Sequence, residues 1–269
     1  MTDPGRQRPG ENATAFVIDA AVGLTVEWRG IFPFYCARIS HSGQFVLRPP
    51  HVKLGAGVLI YVHGYNERAE TAQGYGRNNI AAGYRESGGT CDVGTFLWNS
   101  RFGALQFGRS IRAADATAPV FADAMKALRS HHPGLRIHVI AHSLGARMVM
   151  KAVQENGLRL QDVALVSPAI GRRSLESDGE FGDVPSRVER ILCTCNPSDR
   201  CLRWYPLWHG RPLGRLGFRR RARLPANILI EDMERAWRPH SNDGGHGAIL
   251  HPQYWKVFWE LALARGLFR

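Results

Sequence analysis

The stretch Ile140-Ala141-His142-Ser143-Leu144-Gly145 decides the fold. Upstream of it, Arg136-Ile-His-Val-Ile-Ala141 is a short run of β-branched and apolar residues with the character of a buried strand. Downstream, Leu144 to Asn156 carries its apolar residues at helical spacing, and Gly157 ends the run. One serine thus stands at a strand-to-helix junction, flanked two positions away on either side by Ala141 and Gly145. Small flanks leave room for a sharp turn that projects the hydroxyl above a sheet. The pattern Ala-x-Ser-x-Gly differs from Gly-x-Ser-x-Gly only by one methyl group. A serine held this way is a candidate nucleophile.

Outward from that junction, short apolar runs alternate with longer amphipathic ones from residue 55 onward, which predicts a mostly parallel sheet with helices on both faces. Strands are expected at Val58–Val62, Gly94–Trp98, Arg136–Ala141, Val163–Ser167, Val188–Thr194 and Asn227–Glu231, and helices at Arg68–Tyr84, Ile111–Arg129, Leu144–Asn156 and Pro252–Leu267. In the first fifty residues, Phe16–Ile18, Leu24–Trp28 and Phe45–Leu47 read as antiparallel edge strands. The polar segment 1–14 reads as a disordered tail, and 15–269 as one domain. Gly171 to Ser186 is too short for a large lid, whereas Leu202 to Pro225, with Trp204, Tyr205 and Trp208, is long enough for a modest cap or pocket wall.

With 269 residues the chain can bury a sizeable core. No run approaches the roughly eighteen apolar residues of a membrane span, and the N-terminus lacks a signal-peptide pattern, so a cytoplasmic location is the default expectation. The formal charge of +12 is carried mostly by arginine and is densest at Arg211, Arg215, Arg219, Arg220, Arg221 and Arg223. No nucleic-acid-binding signature accompanies it, so the cluster reads first as solvated surface, and second as a contact for an anionic substrate or membrane surface. The five cysteines (Cys36, Cys91, Cys193, Cys195, Cys201) are odd in number and scattered, against a disulfide framework, and the close set Cys193, Cys195 and Cys201 lacks a completing metal-ligand pair and reads as buried thiols, with no metal and no cofactor expected.

A serine hydroxyl needs a base to take its proton and a carboxylate to orient that base. After such a serine the acid and then the histidine are expected, each in a loop at the C-terminal end of a strand. Asp199, in Cys195-Asn-Pro-Ser-Asp199, and His246, in Asn242-Asp-Gly-Gly-His246, meet that requirement. Asp232 and Asp243 compete for the acid, and His240 and His251 for the base. The His63-Gly64-Tyr65 turn follows a strand, so the backbone N–H of Tyr65, with that of Leu144, is the expected pair of oxyanion donors. His142 reads as a structural neighbour of the serine, and His63 as a turn-stabilising residue.

Taken together, His63-Gly-Tyr-Asn66, Trp98-Asn-Ser100, Asp115, Ala141-His-Ser-Leu-Gly145, Asn196-Pro-Ser-Asp199, Arg215-Leu-Gly217 and Gly245-His-Gly247 resemble the α/β-hydrolases, in particular a bacterial branch of esterase- or lipase-like serine hydrolases. The resemblance implies a mostly parallel eight-stranded sheet without a large lid domain and a Ser143-Asp199-His246 triad. It implies cleavage of a small carboxylic ester without a cofactor. The chain departs from the branch at Asn99, where proline is usual, and at Pro168-Ala169, where Pro-Asp is usual, which shifts weight for the acid to Asp199. The rival reading is a catalytically silent binding protein that keeps this fold and uses its basic surface for an acidic partner.

Overall fold

The computed structural model describes residues 15–19, 36–39 and 45–47 as backbone strands, together with residues 56–102, 106–205, 210–219, 223–233 and 246–269. Its centre is a nine-stranded sheet: β1 (Ala15–Asp19), β2 (Cys36–Ile39), β3 (Phe45–Leu47), β4 (Gly57–Val62), β5 (Asp92–Leu97), β6 (Arg136–His142), β7 (Leu160–Val166), β8 (Val188–Cys195) and β9 (Ile228–Asp232). The order is β3-β2-β1-β5-β4-β6-β7-β8-β9, and every pairing is parallel except β2 with β3. Among the described residues the sheet is therefore mostly parallel, with nine strands where eight are expected. The extra one is β2, four residues long with Arg38 inside it, too short for a periodic signal. β1 corrects a second expectation: it runs parallel between β2 and β5, and among the described strands only β3 is an antiparallel edge. The expected tail at 1–14 and the strand at Leu24–Trp28 lie outside the described residues.

The helices are α1 (Ala69–Tyr75), α2 (Ala82–Glu86), α3 (Phe107–His131), α4 (Leu144–Asn156), α5 (Leu213–Leu216) and α6 (Pro252–Ala264). A π-helical turn at Gly76–Ala81 joins α1 to α2. There the backbone presses against β5: a Cβ on Gly76 would stand 2.1 Å from Thr95 Oγ1. α4 ends at Gly157, whose φ of 63° is the left-handed stop that glycine accepts at little cost.

Alternation along the strands divides the core into two layers. Val58, Ile60, Val62, Val139 and Leu165 face α3 and α4, in one cluster with Phe121, Met125, Val149 and Val153. Leu59, Tyr61, Ile140, Ala164 and Leu192 face the other way, toward Tyr84, Trp255, Phe258 and Trp259. Burying each large apolar side chain stabilises the fold by roughly 1.5–3 kcal/mol. The N-terminal edge of the sheet is tied by the buried Asp162, which accepts hydrogen bonds from Arg190 (2.6 and 3.0 Å) and the Phe268 N–H (2.7 Å) and lies 2.9 Å from His138 Nδ1. The opposite edge is left to loops, the place where parallel sheets gather ligand-binding groups. Among the described residues no helix is long and apolar enough to cross a membrane.

Candidate active site

β6 is central in the sheet, and Ser143 follows it directly at φ 52° and ψ −118°. A non-glycine residue there carries strain of order 1–3 kcal/mol, held only if its surroundings fix it. The Ser143 N–H donates to Val166 O at 3.0 Å, and its carbonyl accepts from Ala146 (3.1 Å) and Ala169 (3.0 Å). Both sides of the turn are thus bound, one to β7 and the loop after it, the other to α4. Gly145 and Gly64 allow the close packing. A Cβ on Gly145 would meet His63 O at 2.6 Å and Val62 O at 2.8 Å; one on Gly64 would meet His142 Nδ1 at 2.8 Å and Ser143 Cβ at 3.0 Å. The turn after β4 therefore lies against the serine.

His246 opens a 3₁₀ turn, His246–Leu250, before α6. That turn is anchored where the Asn79 side-chain amide donates to Leu250 O (3.0 Å) and the Trp255 indole N–H to Ile249 O (2.7 Å). The His246 ring spans two partners: Nε2 is 2.8 Å from Ser143 Oγ, and Nδ1 is 2.8 Å from Asp199 Oδ2. Asp199 is fully buried, and its other oxygen accepts the Leu202 N–H at 2.9 Å. Its loop is fixed by Asn196, whose carbonyl accepts the Asp199 N–H (2.9 Å), whose side chain accepts the Ser198 N–H (3.0 Å), and whose N–H donates to Gly214 O (2.8 Å). Gly214 sits where a Cβ would stand 2.3 Å from the Ser167 carbonyl carbon, so the segment containing Arg215-Leu-Gly217 threads between the ends of β7 and β8.

The fold thus brings Ser143, His246 and Asp199 into one hydrogen-bonded chain. Asp232 is exposed at the end of β9, and His251 precedes α6. Asp243 and His240 lie outside the described residues. Tyr65 is half-buried after the Gly64 turn, its ring edge-on to Phe107, and Leu144 is the first residue of α4, where an N–H has no partner within its own helix.

Two further histidines line this end of the sheet, and both are neutral. Burial pushes His63 down to about 4, against two backbone hydrogen bonds that favour charge. Its Nε2 accepts the Trp98 N–H (3.1 Å), so Nδ1 carries the hydrogen and donates to Gly64 O (3.0 Å). His142 is held well below the usual imidazole range by burial and then by the neighbouring His246 and His63. Its ring lies 4.7 Å from that of His246. Among the described residues no group of three or more His, Cys, Asp or Glu could hold a metal. Cys91, Cys193 and Cys195 are buried, while Cys201 is exposed, correcting the expectation that it is a buried thiol: it begins a surface 3₁₀ turn, Cys201–Trp204.

Residues 50–218 match the model of a family described as alpha/beta hydrolase of unknown function (DUF900). The chain belongs to this alpha/beta hydrolase family. No curated protein matches it. Among solved structures similar to this hydrolase, esterase PE8 is 16% identical, with 80% of this chain and 94% of that one covered and a TM-score of 0.46. A cutinase-like protein from Cryptococcus sp. is 12% identical, covering 80% and 97%, with a TM-score of 0.41. An alpha-beta serine hydrolase homologue from Coxiella burnetii is 13% identical, covering 81% and 88%, with a TM-score of 0.42.

Two supports of this hydrolase's site have roles that the sequence does not reveal. Ser100 clamps the turn after β4: its carbonyl accepts the Asn66 N–H (3.0 Å), and its hydroxyl both accepts the Glu67 N–H and donates to Glu67 O, each at 3.2 Å. The Trp98-Asn-Ser100 motif thus acts through its first and third residues, while Asn99 is exposed. The second is Arg147, buried on the first turn of α4, with a two-pronged bond to Asp115 of α3 (2.7 and 3.0 Å) and an ion pair to Glu180 (2.8 Å). Its only sequence signal is a charge on an otherwise buried helical face.

Proposed function

We propose that this protein is a serine hydrolase that cleaves carboxylic esters through an acyl-enzyme. The observation that carries the reading is the 2.8 Å–2.8 Å chain from Ser143 Oγ through His246 to Asp199, on a serine held at positive φ. With Nδ1–H directed at Asp199, Nε2 has the free lone pair needed to take the Ser143 proton. Ser143 Oγ then attacks the ester carbonyl, and the negative oxygen is received by the N–H groups of Tyr65 and Leu144. The imidazolium returns its proton to the departing alcohol, and a water activated by the same ring cleaves the acyl-serine. Asp199 orients the ring and stabilises its charge. No step of this sequence requires a cofactor.

A fluorophosphonate probe tests the reading. Wild type is expected to be labelled and to hydrolyse phenyl butyrate; Ser143→Ala is expected to do neither, with a rate loss of roughly 10⁶-fold. Label that persists in Ser143→Ala, or that wild type never acquires, would leave the silent binding protein as the better account.

A further inference from the structure

On the same sheet edge as Ser143, a cavity of about 820 Å³ opens beside the loop after β7. Its walls come from two segments zipped together: Gly171 bridges to Pro212, and the Arg172 N–H donates to Arg211 O at 2.7 Å. The volume is in the range of sites that enclose a small ligand. Among the described residues the lining is cationic: Arg172, Arg173, Arg211 and Arg219 face two carboxylates, Asp178 and Glu180. Both carboxylates are already engaged, Asp178 by Arg173 at 2.6 Å and Glu180 by Arg147 at 2.8 Å. Among the described residues, Arg172, Arg211 and Arg219 form no ion pair, and Arg172 Nε is buried without a hydrogen-bond partner. A buried guanidinium N–H without an acceptor is costly, and an anion is its natural complement.

The loop that lines the cavity is hydrogen-bonded to the serine backbone. Ala169 donates to Ser143 O, and Gly171 follows two residues later, about 7 Å of backbone at most. We propose that this cavity is an anion subsite of the hydrolase, holding the phosphate group of an ester whose scissile carbonyl is presented to Ser143. Three guanidiniums offer more donors than the two oxygens of a carboxylate can take, whereas a doubly charged phosphate presents three oxygens and matches their forked geometry. The assignment of the ester to Ser143 rests on the function proposed above; the anion site itself does not.

Two measurements separate these claims. Titration of the full chain with inorganic phosphate, followed by calorimetry, is expected to show saturable binding in wild type and in Ser143→Ala, weakened about tenfold or more in Arg211→Ser/Arg219→Ser and partly restored in Arg211→Lys/Arg219→Lys. Hydrolysis of 4-(butyryloxy)phenyl phosphate is then compared with that of phenyl butyrate. The kcat/KM ratio is expected to favour the phosphate ester in wild type by about tenfold or more and to collapse toward unity in the double serine variant. Phosphate binding without hydrolysis of either ester keeps the subsite and defeats the ester reading. Hydrolysis of both esters with no phosphate binding, or with a ratio unmoved by the double substitution, overturns the subsite. Vesicles of phosphatidic acid against phosphatidylcholine identify the source: arginine-dependent capture of the former names a lipid headgroup, and its absence beside phosphate binding names a soluble phosphate ester.

Discussion

Trp98 holds His63 at two points: its backbone N–H donates to the ring Nε2 at 3.1 Å, and its indole N–H donates to the His63 carbonyl at 2.9 Å, with the rings stacked 5.6 Å apart. The first bond sets the tautomer that lets Nδ1–H reach Gly64 O, and the second fixes the backbone just before the turn that carries Tyr65. Trp98→Phe removes the indole donor together with part of a buried ring, and leaves a buried carbonyl without its partner. The variant is expected to lose about 1–3 kcal/mol in urea unfolding and to show reduced kcat for ester hydrolysis. A variant as stable and as active as wild type would remove Trp98 from the support of the turn.

Gly145 is needed for space. The carbonyl oxygens of His63, just after β4, and of Val62, its last residue, stand 2.6 and 2.8 Å from where a Cβ would be, and backbone oxygens cannot swing aside as a side chain can. Gly145→Ala is therefore expected to push the start of α4 away from β4, and Ser143 with it. Overpacking of this kind typically costs about 1–3 kcal/mol, and the rate of ester cleavage should fall by more than the stability does. Chemical denaturation and kcat/KM measured on the same preparation decide it.

The parts of this molecule that are legible in its sequence are those set by local pattern. β6, the serine turn and α4 carry strand periodicity, small flanks and a terminal glycine, and α4 has the expected bounds, Leu144 to Asn156. Ser143, Asp199 and His246 are each marked by a loop at a strand end, and the fold carries the distances between them. β1 is different: its run is plain, but whether it lies parallel to β5 depends on the path of the chain between, and no residue within it records that. Arg147 is hidden for a similar reason, since its partner Asp115 lies on another helix and an arginine on a helix ordinarily reads as solvent-facing. Of the cavity near Arg172 one wall is legible, since Gly210, Arg211 and Arg219 lie in the Leu202–Pro225 segment expected to form a pocket wall; the other is not, because the Gly171–Pro212 bridge joins segments separated by all of β8.

Glu67, beneath the same turn, gives the fold a pH dependence. Burial raises its carboxyl from 4.5 to about 7, opposed by a hydrogen bond from the Gly64 backbone; Tyr61, Tyr75 and His63 are titratable neighbours. Below about pH 4.5 the group is protonated in both folded and unfolded chains. As pH rises toward 7 the unfolded chain ionises while the folded one does not, so folding is penalised across that window, by at most about 3 kcal/mol. Glu67→Gln should remove the penalty. Its unfolding free energy relative to wild type is expected to grow from pH 4.5 to 7.5 and to level off above; parallel curves across that range would contradict the assignment.

Arg147 predicts an asymmetry. Its side chain is 6% exposed, while those of Asp115 and Glu180 are 25% and 41% exposed. Asp115→Leu leaves a buried guanidinium with one partner, and losses of about 3 kcal/mol follow when a buried pair is broken this way. Arg147→Met instead releases two carboxylates that water can reach, and it fills the same space. Denaturation of the two variants should rank Asp115→Leu as the less stable; the reverse order would mean that the arginine contributes through packing on Phe181, 5.8 Å from its guanidinium carbon, more than through charge.

Asp199 serves two partners through two oxygens, and substitution can separate them. Asp199→Ala removes both acceptors, so the Leu202 N–H loses its bond and stability should fall by about 1 kcal/mol, along with activity. Asp199→Asn keeps an oxygen for Leu202 and turns an NH₂ group toward His246. That donor demands a bare Nδ1, which moves the ring hydrogen to Nε2 and takes away the lone pair facing Ser143. The asparagine variant should therefore melt near wild type yet lose about 10⁴ in kcat toward phenyl butyrate. Retention of wild-type kcat in a well-folded Asp199→Asn would show that the ring keeps its tautomer without the carboxylate, and the orienting role would pass to another group.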